Sequence, residues 1–86
     1  MLKFKVTVRK YLDVEVPVKA PDGEKARDLI FELISKGDTK FMFDGVDPSF
    51  WENEIRFIGR ATDQEFNNLA KESEIVHPDG THSWAE

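Results

Sequence analysis

The sequence predicts an α+β domain of order ββαββα, in which one mostly antiparallel four-stranded sheet carries a helix packed on one face. Three observations support this. Phe4, Val6 and Val8 alternate with Lys3, Lys5, Thr7 and Arg9, and Val14, Val16 and Val18 then alternate with Asp13, Glu15, Pro17 and Lys19. After Ala20-Pro21-Asp22-Gly23 the spacing changes, and Ala26, Leu29, Ile30, Leu33 and Ile34 recur at helical intervals. A period of two followed by one of about 3.6 residues specifies strand, strand, helix. A second capped helical stripe follows at 62–72.

Strand one is placed at about 3–10 and strand two at about 12–19. The turn between them has no Asn-Gly or Gly signal, so its type stays open. Pro17 lies on the polar side of strand two, which suggests an edge strand whose missing N–H points away from the ladder. Lys5 and Arg9 can face Asp13 and Glu15 across the hairpin. The first helix runs from about 23 to 36. Asp22 is its N-cap, Glu24 places negative charge in its first turn, and Gly37 suits the left-handed position that ends it. Phe31 sits at the margin of the apolar stripe.

In 39–44, Phe41 and Phe43 alternate with Lys40 and Met42, which predicts strand three with the phenylalanines inward. Asp44-Gly45-Val46-Asp47-Pro48 has the chemistry of a turn, and Asp47-Pro48 can open one helical turn over 48–53. Strand four falls at 54–60, with Ile55 and Phe57 inward and Arg56, Ile58 and Arg60 outward. Thr62-Asp63-Gln64-Glu65 is a capping box that opens helix two, whose stripe is Phe66, Leu69 and Ala70. Pro78-Asp79-Gly80 lies between two strand-like pieces. Residues 1–73 therefore read as a single α+β domain, and 74–86 as a C-terminal β-hairpin or a loose tail.

Composition bounds the function. At 86 residues the chain holds one modest core. It has no cysteine, which removes disulfides, thiolate catalysis and thiolate metal sites together. No apolar run approaches the roughly 18 residues of a membrane span, and no signal-peptide pattern opens the chain. The expectation is a cytoplasmic protein with no membrane partner. Net charge is −5 but unevenly spread: residues 1–40 hold nine Lys/Arg against seven Asp/Glu, and residues 41–86 hold three against ten.

No nucleophile–base pair, phosphate-binding glycine run or carboxylate pair with contrasting surroundings stands out. The expectation is therefore a non-enzyme with no catalytic residue and no cofactor. His77, Asp79 and His82 are the one cluster with metal-ligand chemistry. Asp79 already has a turn role, and no metal site is assigned.

Two surfaces remain. The segment 41–57 holds five of the ten Phe, Trp and Tyr residues. Phe50 and Trp51 are adjacent, so on a helical turn both cannot enter one core. An aromatic ring with an acidic rim makes Asp44, Asp47, Phe50, Trp51, Glu52 and Glu54 the candidate partner-binding site. The alternative is a small RNA- or single-stranded nucleic-acid-binding domain. It would use Lys3, Lys5, Arg9, Lys40, Arg56 and Arg60 on the outward sheet face, with affinity falling steeply as salt rises.

Val14-Glu15-Val16-Pro17-Val18-Lys19-Ala20, followed by Ala26 and Leu29-Ile30, resembles the strand-turn-helix segment of the small inhibitors of bacterial RNA polymerase from T7-type phages. It is also similar to the start of several short phage and mobile-element proteins. The resemblance covers residues 4–34 and transfers no functional residue. It implies a class: a small, cofactor-free, phage-encoded host-takeover protein, an inhibitor that binds and modulates a larger host protein or complex at a basic patch of that partner. The acidic rim would steer it there. Trp51→Ala is expected to weaken partner binding while leaving the circular-dichroism melt nearly unchanged, and a melt that collapses would place Trp51 in the core.

Overall fold

Antiparallel pairing of the two alternating segments builds the centre of the sheet. The computed structural model describes residues 1–9, 13–38, 41–42 and 54–85. Strands β1 (Leu2–Arg9) and β2 (Asp13–Ala20) pair with Val6 opposite Val16 and Lys5 opposite Pro17, so the valines share one face and the lysines the other. Helix α1 (Gly23–Lys36) starts at Asp22, whose carboxylate accepts the Lys25 N–H at 2.8 Å. It ends at Gly37, whose φ of 74° is the left-handed region that glycine enters without strain. Ala26, Leu29, Ile30 and Leu33 bury its stripe on Val6, Val8, Val16 and Val18.

The remaining elements are β3 (Glu54–Arg60), α2 (Asp63–Glu72), β4 (Ile75–Val76) and β5 (His82–Ser83). The α+β class holds, but its detail differs from the predicted four-stranded ββαββα sheet. Among the described residues the sheet has five strands in the order β3-β1-β2-β4-β5, and it is mixed: β4 runs parallel to β2, with Val76 beside Val18. Residues 75–83 form the hairpin. His77 N–H donates to the Thr81 carbonyl, and the Asp79 carboxylate accepts from Thr81 N–H at 3.0 Å and from its hydroxyl at 2.6 Å.

A second difference matters more for function. The polar face of β1 and β2 is not wholly open to water: its Lys3–Lys5 and Pro17–Lys19 part lies beneath α2, while Arg9, Asp13 and Glu15 stay exposed. Because β1 is antiparallel to both neighbours, β2, β3 and β4 are parallel to one another. The connection β2-α1-β3 crosses the sheet in one direction over the valine face. The connection β3-α2-β4 returns in the other direction over the lysine face, so the two crossovers have the same hand. Thr62 and Glu65 close the predicted capping box at the start of α2. Phe66 then packs between Lys3 and Lys19, with ammonium-to-ring distances of 5.3 and 6.0 Å. Pro17, placed by sequence on an edge strand, is fully buried in the interior of the sheet. Ile75 joins Ala61, Phe66 and Ala70 in this second cluster, while its neighbour Val76 enters the main core.

The predicted third strand, 39–44, lies largely outside the described residues. Met42, expected outward, is buried in the main core, with Phe41 packed partly against it. In β3 the strict alternation also fails. Val8 opposes Ile55, Thr7 opposes Phe57 and Val6 opposes Ile58, which leaves Arg56 as the extra residue of a bulge. Ile55 and Ile58 therefore both face the core, and Phe57, expected inward, is 58% exposed. No helix among the described residues is long and apolar enough to cross a membrane.

Phe66→Ala is expected to destabilise the fold by roughly 3–5 kcal/mol through the cavity it leaves on the lysine face. Asn67→Ala on the exposed side of the same helix should stay within about 0.5 kcal/mol. Urea unfolding of the two variants measures the contrast.

Candidate partner-binding groove

The bulge in β3 and the margin of α1 together leave an open groove along one edge of the sheet. Arg27, Phe31 and Ile34 line it from α1, at spacings that share one side of a helix. Residues 54–58 line it from β3. Its volume is about 500 Å³. Ile34, Ile55 and Ile58 form the floor where it meets the core. Phe31, more than half exposed, stands on the α1 side, whereas Phe57, equally exposed, opposes Thr7 and projects from the lysine face of the strand that borders the groove. Phe57 is held along its own strand: a Cβ on Gly59 would come within 2.7 Å of Phe57 Cε1, so only glycine leaves the ring where it lies. The groove carries guanidinium groups from Arg27 and Arg56, and Arg56 Nη1 is 3.7 Å from Glu54 Oε2. Such a surface can take an apolar side chain that sits next to a carboxylate.

Of the residues assigned to partner binding from sequence, Asp44, Asp47, Phe50, Trp51 and Glu52 lie outside the described residues. Glu54 opens β3 and lines the groove. Sequence reasoning missed Arg27, Phe31 and Phe57 as groove residues. The signal was the spacing of three between Ile55 and Ile58, which a regular strand cannot bury on one side.

Of the residues assigned to a nucleic-acid surface, Lys3, Lys5 and Arg9 share one face of β1, and Arg60 lies on the other face. Lys3 is paired with Asp63 at 3.0 Å and Lys5 with Glu65 at 2.6 Å, both through α2. Arg9 is 3.6 Å from Asp13. Arg60 opposes Phe4 on the valine face, with its guanidinium 5.7 Å from the Phe4 ring centre, because the bulge reverses the parity of β3. Lys40 lies outside the described residues. The hydrogen bond from Lys5 pulls the Glu65 carboxyl below its usual range, helped by the Thr62 backbone N–H. The same contact raises the Lys5 ammonium.

His77 and His82 project from opposite sides of the β4–β5 hairpin. His77 Nε2 lies 2.8 Å from the Ser83 hydroxyl, whereas His82 pairs with Val76 and turns toward the end of α1. They cannot close on one ion. Among the described residues no group of three or more His, Cys, Asp or Glu could hold a metal.

Compared with protein-family models, with curated proteins and with solved structures, the chain matches none of them.

Because the folded Glu65 carboxyl titrates below its unfolded value, its contribution is complete above about pH 4.3 and is lost as pH falls through the folded value. Glu65→Gln retains an oxygen for the Thr62 N–H but cannot pair with Lys5 as an ion. Its stability is expected to fall less steeply than that of the parent between about pH 4.5 and 2.5, read from urea midpoints.

Proposed function

We propose that this protein is a non-enzymatic protein-binding module that acts on a larger host protein through the groove between α1 and β3. The observation that supports this is the exposed Phe31 ring beside an apolar floor of Ile34, Ile55 and Ile58, with arginines at its rim and a second exposed ring, Phe57, on the bordering strand. Aromatic and arginine side chains around a pocket are the composition in which binding energy concentrates. The partner segment that fits is an apolar side chain flanked by a carboxylate, which would meet Arg27 or Arg56. Likeness to the T7-type phage inhibitors at residues 4–34 supplies the class of partner, a large host protein or complex. A nucleic-acid role has less support, because Lys3 and Lys5 are engaged by acids of α2.

The mode of docking follows from the edge itself. β3 has no strand partner on its outer side among the described residues. Its bulge and its charges at Glu54, Arg56 and Arg60 break the regular ladder that strand addition needs. Recognition is thus led by side chains entering the groove.

The test is capture from nuclease-treated bacterial lysate on the immobilised 86-residue chain. The parent is expected to retain a host protein, and Phe31→Ser and Phe57→Ser to weaken its binding about tenfold or more while melting within a few degrees of the parent. Retention that vanishes with nuclease, or equal binding by parent and both variants, overturns the proposal.

A further inference from the structure

Three segments of the chain converge on one imidazole. His82 Nε2 lies 2.8 Å from Asp38 Oδ2, just beyond the left-handed cap of α1. His82 Nδ1 lies 3.2 Å from Glu74 Oε1, in the short link between α2 and β4. The ring stacks on Phe41, with centres 4.0 Å apart and planes inclined by 17°. Ionised carboxylates only accept hydrogen bonds, and a neutral imidazole has a single N–H. A neutral His82 could donate to one of the two acids and would turn a lone pair toward the other. Only the imidazolium donates to both. The two acids approach different ring nitrogens, so the arrangement suits protons rather than a shared metal ion.

We propose that His82 is a proton-operated clasp: doubly protonated, it fastens the β4–β5 hairpin to the exits of both helices, and loss of one proton releases one of the two attachments.

The charged groups that face the ring are Asp38 from the end of α1 and Glu74 from the link before β4. Phe41 brings no charge. On the hairpin itself, His77 is turned to Ser83 on the other side, and the Asp79 carboxylate is held by Thr81. Partial enclosure of the ring favours its neutral form, but the hydrogen bonds and charges of Asp38 and Glu74 outweigh it, and the pKa is raised. Stabilisation by the clasp is therefore complete below about pH 6.5, the ordinary histidine value, and is lost as pH rises through the higher folded value. Val76 in the main core and Ile75 against α2 keep the hairpin in the sheet after release. The change is a local loosening and not unfolding.

The test uses the intact chain. Ring NMR signals of His82 and hydrogen exchange of the His77 and Gly80 amides, which close the hairpin turn, are followed from about pH 5.5 to 8.5. His82 is expected to titrate above the ordinary value. Protection of the two amides, corrected for intrinsic base catalysis, should fall about threefold or more across that titration. His82→Phe keeps the stack without a titrating group, so its protection should stay level with pH. Asp38→Asn combined with Glu74→Gln should return the His82 pKa to the ordinary range. A His82 pKa at or below that range in the parent, or parallel protection profiles for parent and His82→Phe, overturns the clasp. If His82→Phe does not fold, the comparison of ring titrations in the parent and the Asp38/Glu74 double variant decides alone.

Discussion

The β1–β2 hairpin has two faces that both need cover, and the rest of the molecule is arranged to supply it. The valine face is ordinary: α1 buries an aliphatic stripe on it. The lysine face is covered by a different device. Phe66 enters between Lys3 and Lys19 on the face that also holds the buried Pro17, with both ammonium groups near its ring. Asp63 and Glu65, in the first turn of α2, meet the ammonium groups of Lys3 and Lys5, where negative charge also suits the helix dipole. A face that reads as polar is thus a mixed layer, covered over its Lys3–Lys5 part by one aromatic ring and two ion pairs.

That arrangement explains which parts of the fold were legible. β1, β2, α1 and the start of α2 are dictated by local periodicity and capping, which the chain states within a few residues of where they act. The covering of the lysine face is not local. Alternation shows that the two faces of a hairpin differ, but it does not say whether the polar one is wet. The parallel pairing of Val76 with Val18 joins residues far apart in the chain through a two-residue strand, too short to announce itself. In β3, Arg56 shifts the parity, so a strict period of two places Phe57 and Ile58 on the wrong sides. The candidate groove was legible only at Glu54, because its lining comes from the margin of one helix and an irregular strand.

α1 joins the functional features as well as the core. Its buried stripe sets its position on the sheet, and that position brings Phe31 and Ile34 to the β3 edge. Its left-handed exit brings Asp38 to His82 on β5, at the other end of the strand order. A change in the seating of α1 on the valines would therefore move one wall of the groove and one arm of the clasp together. This gives the two features a shared rigid element without requiring any contact between them.

The bulge at Arg56 resolves a conflict that a regular β3 could not. With Ile58 aligned opposite Val6, an unbroken alternation would send Arg56 into the core and Ile55 to the outside. Burying a guanidinium against Val8 and α1 would leave its charge without a partner, a far larger penalty than one irregular ladder position. The extra residue keeps both isoleucines inside and Arg56 at the rim. It also makes the edge a poor template for another strand. The same irregularity that protects the core thus supplies a cation to the groove, so a feature of this edge that suits a partner arises from how β3 is made to fit its neighbour.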